Sequence, residues 1–480
     1  MITITRSKAR VLRSGFRRAI LGIRHRSPIP PLLLHAGGTH LRAQFRYDNL
    51  GVEYVDPGNY QPLDSIPIPL DVLAEIEGRD DSPVFFEAAE PGRTIIRWED
   101  RGIPQLRDFP VTPFGNMDPF TEPPPVWTEA PSELLTALAA ATEICTDDSP
   151  RYDLNCIQLR GSERKIIATD GRQLLIRTGF DFPWDEDLLI RWSPIFACKA
   201  FNRYLPLQIG KTSTHVVLRI GSWTIWNEIQ KDARFPQVEE AITAPGAVTT
   251  RIQLDPEDAR FLQTALDRLP GSDEINSPAT IEMNGTVAIR AQDTEQAQTT
   301  ELVLSRSSYS GPAIRISTNR RFLSRALHLG FSEIGISGVE APVVCRERDR
   351  TYAWQPLSGD AVIEPSSDMI RVESPHASGE ATQERNHSVT PRRTMGNTVP
   401  RNGQTSGELS NEDSRPVNDS PGSSLSALIQ DAEALHRTLS EVQTGARRLI
   451  VGLRRHRKQS RLLGDTLRSL RQLKLTENVE

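Results

Sequence analysis

Residues 166–176 read IIATDGRQLLI, from Ile166 to Ile176. An apolar run, Ile166-Ile167-Ala168, enters a tight turn at Thr169-Asp170-Gly171, and a second apolar run, Leu174-Leu175-Ile176, leaves it. Asp accepts hydrogen bonds from backbone amides just after it, and Gly takes positive φ without strain, so the pair favours such turns. The pattern predicts strand, turn, strand, with Asp170 a turn residue and not a catalytic acid.

Outward from this turn, residues 1–357 fall into three blocks with one order: strand, helix, strands, helix, strands. The first opens with Ile2-Thr3-Ile4 and a helix that sets Leu12, Phe16, Ile20 and Ile23 on one face. Pro28 and Pro30 stop it. Strands are expected at 41–47, 51–55, 84–86 and 94–98, and a second helix at 69–77, with Pro69 at its start. The Pro-rich stretch Glu122-Pro123-Pro124-Pro125 leads to the middle block, with helices at 131–145 and from Ser193-Pro194. The last block has helices at 256–269 and 319–329 and closes on Tyr352-Ala353-Trp354. Internal repetition at this scale is a clue to fold. Helices segregated to one face of antiparallel sheets give an α+β architecture.

The chain has 480 residues, room for about three domains at roughly 150 residues each. A hydrophobic content of 37% is low for one packed globule and points to a disordered part. Composition places it at 358–422, where Ser, Pro, Asn, Glu, Gly and Thr dominate. A basic helix is expected at 423–475: Leu425, Leu428, Ala432, Leu435, Leu439, Val442, Ala446, Leu449 and Leu453 sit three or four apart, as in a coiled-coil seam. Gly445 and Gly452 weaken it. Oligomerising coil, basic DNA tether and partner-binding helix are all open readings of that tail.

Cys145, Cys156, Cys198 and Cys345 are scattered without C-x-x-C spacing, which argues for reduced thiols rather than zinc or disulfides. No apolar run approaches the roughly 20 residues that span a membrane, and the basic N-terminus lacks a signal-peptide core. The acidic run Trp184-Asp185-Glu186-Asp187 reads as an exposed loop. No Gly-rich phosphate loop, H-E-x-x-H or G-x-S-x-G is present, so no metal, cofactor or catalytic set is expected. The net charge of -5 neither advertises nor excludes nucleic acid, because a basic surface can coexist with an acidic exterior.

Ala168-Thr169-Asp170-Gly171-Arg172-Gln173-Leu174 resembles the ATDGHRL signature of the bacterial DNA polymerase III beta subunit, the sliding clamp. Other stretches resemble that family in the same order. Leu41-Arg42-Ala43 looks like its start, and Gly102-Ile103-Pro104 with Asp108-Phe109-Pro110 like the end of its first domain. Arg151-Tyr152-Asp153-Leu154-Asn155 is similar to RYYLNG, and Ala233-Arg234-Phe235-Pro236 to GRFPDY. Gly311-Pro312, Arg321-Phe322-Leu323, Ala341-Pro342-Val343-Val344 and Tyr352-Ala353-Trp354-Gln355-Pro356-Leu357 look like the family's last domain.

The resemblance implies three clamp domains of antiparallel sheet with two helices each, at 1–121, 126–246 and 247–357. It implies a non-catalytic processivity factor: a head-to-tail homodimer closing around duplex DNA without sequence preference. It also implies a bacterial cytoplasm, at the nucleoid. Polymerase and clamp-loader subunits would dock peptides in a pocket of Leu154, Thr169, Gly171, Arg172, Leu174, Pro236, Ala241, Ala353 and Gln355. Arg172 stands where His is usual, Gln173 where Arg is usual, and Ala241 and Gln355 replace larger apolar residues, so the partner peptide differs or the pocket is weak. Leu269-Pro270-Gly271 replaces a longer apolar element at the subunit seam; by position Trp98 either falls near that seam or is ordinary core. Arg6, Lys8, Arg10, Arg13 and Arg17 give the first helix a basic face; Lys199, Arg203, Arg320, Arg321 and Arg325 add cations. These either face DNA phosphates or form solvated helix faces. The rival functional reading is a clamp paralogue that scaffolds proteins without forming a ring.

Overall fold

The computed structural model describes residues 1–21, 29–89, 92–111, 122–147, 152–201, 204–242, 244–271, 276–293 and 298–375. These residues belong to one compact unit, Met1–Thr382. Ile23, Pro28, Arg151, Arg203 and the expected helix at 423–475 lie outside them.

Five α-helices form among the described residues. In α1 (Arg6–Ile20) the Thr5 hydroxyl accepts from Lys8 N at 3.1 Å, and Ala9, Leu12, Phe16 and Ala19 are buried. A 3-10 turn, Leu70–Val72, leads into the short α2 (Leu73–Ile76), where the sequence predicts one helix. The middle block holds α3 (Glu133–Ile144). The last block holds α4 (Pro256–Ala265), capped by Asp255, and α5 (Arg320–His328), capped by Asn319. Such caps satisfy amides that the helix itself leaves unpaired.

The expectation of two helices per block is corrected in the middle one. There the helix from Ser193-Pro194 is only a 3-10 turn, Pro194–Ala197. Ile195 and Phe196 are buried side by side, Cys198 returns to extended backbone and Lys199 is exposed. The apolar period a longer helix needs stops there.

Among the described residues four sheets form. In the six-stranded sheet, Leu50–Ile68 pairs with Leu32–Tyr47 on one side and Trp223–Glu228 on the other. In the nine-stranded sheet, Gln173–Thr178 pairs with Lys165–Thr169 and with Arg350–Trp354. Both sheets therefore run across the block boundaries. At the first seam, Trp223 lies across from Tyr54 and stacks among Phe16, Tyr54 and Phe201, with ring centroids 4.8–5.8 Å apart. Gly15 makes room for it: a Cβ there would sit 2.2 Å from Trp223 Cη2.

A four-stranded sheet in the first block ends on Ile103–Pro110, a strand without a buried face. A five-stranded sheet in the last block ends on Thr299–Leu304 and, beyond it, Ile370–Glu373. That last strand corrects the linker expected from 358. Leu357 N donates to Ser317 O at 2.8 Å, Ser317 Oγ to Ala361 O at 2.8 Å, and Ile363 N to Thr280 Oγ1 at 2.7 Å. Residues 358–375 are fixed by backbone and hydroxyl hydrogen bonds, which composition does not reveal.

All four cysteines are free thiols. Burial pushes the Cys156 thiol up to about 12. Among the described residues, no helix is long and apolar enough to cross a membrane, and no group of His, Cys, Asp and Glu could hold a metal ion. Glu186 of the acidic loop pairs with Lys211, and Asp187 with Arg160 at 3.6 Å.

Candidate functional site

The turn at 169–173 is braced from within. Asp170 Oδ1 accepts from Arg172 N and Gln173 N, both at 2.8 Å, and Asp170 Oδ2 from Gln173 Nε2 at 2.8 Å. Thr169 Oγ1 donates to Gln173 O at 2.7 Å and accepts from Gly171 N at 3.0 Å. Gly171 holds φ +83°, the left-handed region that glycine enters freely. A Cβ on Gly171 would lie 3.5 Å from Leu154 Cδ1, so Leu154 flanks the turn.

Cross-strand register then sets Thr169, Leu174 and Ala353 in one row, each directly opposite the next. Cross-strand partners share a face of a sheet, so the three side chains form one surface. All three are buried, as is Leu154. Val344 extends the row beyond Ala353. Gln355 N donates to Arg172 O at 2.8 Å and continues the ladder. The Gln355 amide Nε2 turns to Glu340 O at 2.8 Å, and Arg172 Nη1 to Asn276 Oδ1 at 2.9 Å.

Residues 234–242 lie on this sheet. Phe235, Val238 and Ile242 pack, half-buried, on Ile167, Leu174 and Ile176. Two anchors hold the segment: Arg234 N donates to Asp153 Oδ2 at 2.8 Å, and Glu239 takes Arg160 at 2.5 Å and Lys165 at 3.0 Å. Those contacts raise the Lys165 pKa, with the Glu163 hydrogen bond the largest cause, ahead of opposing burial and the Glu239 bond. Pro236 is half-buried in this segment, and Ala241 is exposed at its far end. Leu154, Thr169, Gly171, Arg172, Leu174, Ala353 and Gln355 are thus gathered at one turn and three adjoining strands. Pro236 and Ala241 belong to the segment laid against them.

The sequence reading missed two parts of this arrangement. Phe235, Val238 and Ile242 supply its apolar cover. Gln173, buried, accepts from Tyr352 Oη at 2.7 Å and Arg325 Nη1 at 2.9 Å, joining the turn to the last strand and to α5. A lone glutamine heading the apolar run Leu174-Leu175-Ile176 was the available signal.

The cations separate into three groups. Arg6 and Arg320 are corrected as DNA-facing residues, because both are buried. Arg6 donates to the carbonyls of Ile76, Glu77 and Glu99 and pairs with Asp100 at 2.8 Å. Arg320 donates to the carbonyls of Leu269, Pro270, Ser277 and Pro278. Each fills an inward cluster of carbonyl oxygens. Lys8 pairs with Asp56 at 2.6 Å and Arg13 with Glu77. Arg325 lies 3.9 Å from Glu143. Arg10, Arg17, Lys199 and Arg321 are exposed on their helices and turn.

Antiparallel sheets that run across block boundaries, a few helices packed on them and the TDG turn at the second seam make a sliding-clamp fold. Solved structures of such clamps match it. The DNA polymerase III subunit beta from Pseudomonas aeruginosa aligns with a TM-score of 0.61 at 17% identity, covering 74% of this chain and 100% of that one. The sliding clamp from Bartonella birtlesii, bound to griselimycin, gives 0.62 at 16% identity, covering 74% and 99%. The beta subunit of DNA polymerase from Streptococcus pyogenes gives 0.61 at 13% identity, covering 74% and 99%. No family model matches the sequence, and no curated protein does.

Proposed function

We propose that the chain is a divergent sliding-clamp-like processivity factor, non-catalytic, that closes as a dimer around duplex DNA and docks polymerase and clamp-loader peptides. The row Thr169-Leu174-Ala353, flanked by Leu154 and Gly171, carries this reading. It offers a small apolar surface with polar edges at Arg172 and Gln355, the chemistry that accepts Leu or Phe side chains of a short peptide. Pro236 and Ala241 form the rim. Arg10, Arg17, Lys199 and Arg321 supply phosphate contacts without base recognition.

The test is fluorescence anisotropy of a labelled synthetic peptide ending in Leu-Phe. Leu174→Asp sets an unpaired carboxylate among buried apolar side chains and abolishes binding; unchanged affinity overturns the pocket assignment. A second reading, a clamp paralogue that scaffolds without a ring, is favoured by one observation. A strand of the chain's own C-terminal extension lies on an edge of the last block's sheet.

A further inference from the structure

We infer that strand Ile370–Glu373 is a detachable cap on the sheet edge Thr299–Leu304, and that its displacement admits the edge strand 105–109 of a second copy of this chain. The inference rests on the dimer reading above and adds to it a self-made block on assembly.

The cap pairs parallel with its neighbour: Thr300 with Ile370, Glu301 with Arg371, Leu302 with Val372, Val303 with Glu373. It covers a row of amides and carbonyls that would otherwise template another chain. Little holds it beyond that ladder. All four residues are exposed, Ile370 by 46% and Val372 by 38%, so the strand buries almost no apolar surface. Segments of that kind open at low free energy.

Two side chains fix its place. Arg371 Nε lies 3.8 Å from Glu301 Oε2. Glu301 is buried and belongs to a charge ladder across the sheet: Arg290 meets Glu301 at 2.9 Å and also pairs with Glu282, which holds Arg315 at 2.6 Å. Ser374, buried, closes the cap. Its amide donates to Val303 O at 2.9 Å, and its Oγ accepts from Ser305 N at 3.0 Å. The Ser374 hydroxyl also hydrogen-bonds the buried Asp258 carboxylate.

The occupant follows from the other end of the unit. Among the described residues Ile103–Pro110 has a single strand neighbour, Arg93–Asp100, and terminates its sheet. Ile103 and Leu106 are 61% and 55% exposed. Pro104 and Pro110 have no amide hydrogen to offer and bracket a pairing window at 105–109. That window is one residue longer than the cap and one shorter than the edge Thr299–Leu304, so it covers more of the edge than the cap does. It also carries Arg107, which here pairs with the exposed Glu75 at 3.1 Å and reaches the Leu106 carbonyl at 3.5 Å. Seated on the edge, Arg107 of a second copy brings to Glu301 the charge that Arg371 supplies in the capped chain. Donor and acceptor edges lie on different blocks, so the contact is heterologous, the kind that closes rings.

The experiment uses the full chain and two single variants, Arg371→Glu and Ser374→Glu, which set a carboxylate against a buried acid, Glu301 and Asp258 respectively. Sedimentation gives the self-association constant, and hydrogen exchange reads amides 103–110 and 370–373. Both variants are expected to speed exchange at 370–373 at least tenfold and to tighten self-association at least tenfold, with 105–109 becoming protected as the dimer forms. Unchanged exchange at 370–373 in both variants overturns the cap. So does faster exchange without tighter association, if wild type dimerises and protects 105–109; the dimer reading then survives alone. Chains that stay monomeric, with 105–109 open at every concentration, overturn both.

Discussion

The Tyr352 hydroxyl donates to Gln173 Oε1 at 2.7 Å across adjacent strands of the nine-stranded sheet, and both residues are buried. Burial pushes the tyrosine ionisation well up, so the hydroxyl remains a donor at any physiological pH. The same oxygen takes Arg325, and the glutamine's amide holds Asp170. One side chain thus couples the turn, the last strand and α5. Gln173→Leu leaves the buried Tyr352 hydroxyl and the Arg325 guanidinium without their shared acceptor, which costs about 1–3 kcal/mol. Tyr352→Phe costs about 1 kcal/mol. Urea unfolding of both singles and the double checks it. The double variant should lose less than the summed singles, and strict additivity would sink the coupling.

Two glycines should fail for different reasons. Gly171→Ala forces a side chain to φ +83°, with only Leu154 nearby at 3.5 Å, so the loss is backbone strain of about 1–2 kcal/mol. Gly15→Ala meets Trp223 at 2.2 Å, so its loss is overpacking, about 1–3 kcal/mol or more. Thermal unfolding separates them: adding Trp223→Leu should rescue the Gly15 variant in part, whereas no neighbouring truncation restores Gly171→Ala. Equal loss with and without Trp223 would refute the packing account.

The turn and most helix starts were legible because each rests on local chemistry. Asp-Gly punctuates 170–171, Asn319 and Asp255 cap helices, and Leu12 and Phe16 share a face. The misreadings share another cause. Ile103–Pro110 and Ile370–Glu373 bury no face, so no period of two marks them. Arg6 and Arg320 looked like surface cations because charge alone does not show which carbonyls surround a guanidinium. The row Thr169-Leu174-Ala353 joins residues far apart in sequence, and only the resemblance to clamps brought Ala353 into the candidate site.

Asp258 makes acid stability testable. Burial pushes its carboxyl up, but hydrogen bonds from Ser307, Ser374 and the amides of Ser307 and Arg306 outweigh it and hold the pKa below the ordinary 3.8. A carboxyl depressed by folding adds stability that is complete above its unfolded pKa and is lost as pH falls through the folded value. The stability gap between wild type and Asp258→Asn should therefore be constant from about pH 7 to 5 and shrink below about pH 4. Denaturant midpoints across that range measure it, and a gap that widens in acid contradicts the assignment.

Arg320 and Arg321 are chain neighbours with opposite fates, which yields the sharpest test of the cation assignment. Arg320 is buried among four carbonyls, so Arg320→Ala strips their donors and should cost more than about 2 kcal/mol in urea unfolding. Arg321 is exposed at the start of α5, so Arg321→Ala should leave stability within about 0.5 kcal/mol. On duplex DNA the order reverses. Each phosphate contact contributes about 0.9 to the slope of log affinity against log salt. Arg17→Ala and Arg321→Ala should each flatten that slope by about one contact per chain, in anisotropy titrations from about 50 to 200 mM salt. Lys8 and Arg13, held by Asp56 and Glu77, should change it less, because their charge is already neutralised. A slope unchanged in the Arg17 and Arg321 variants would make those cations solvated helix faces and nothing more.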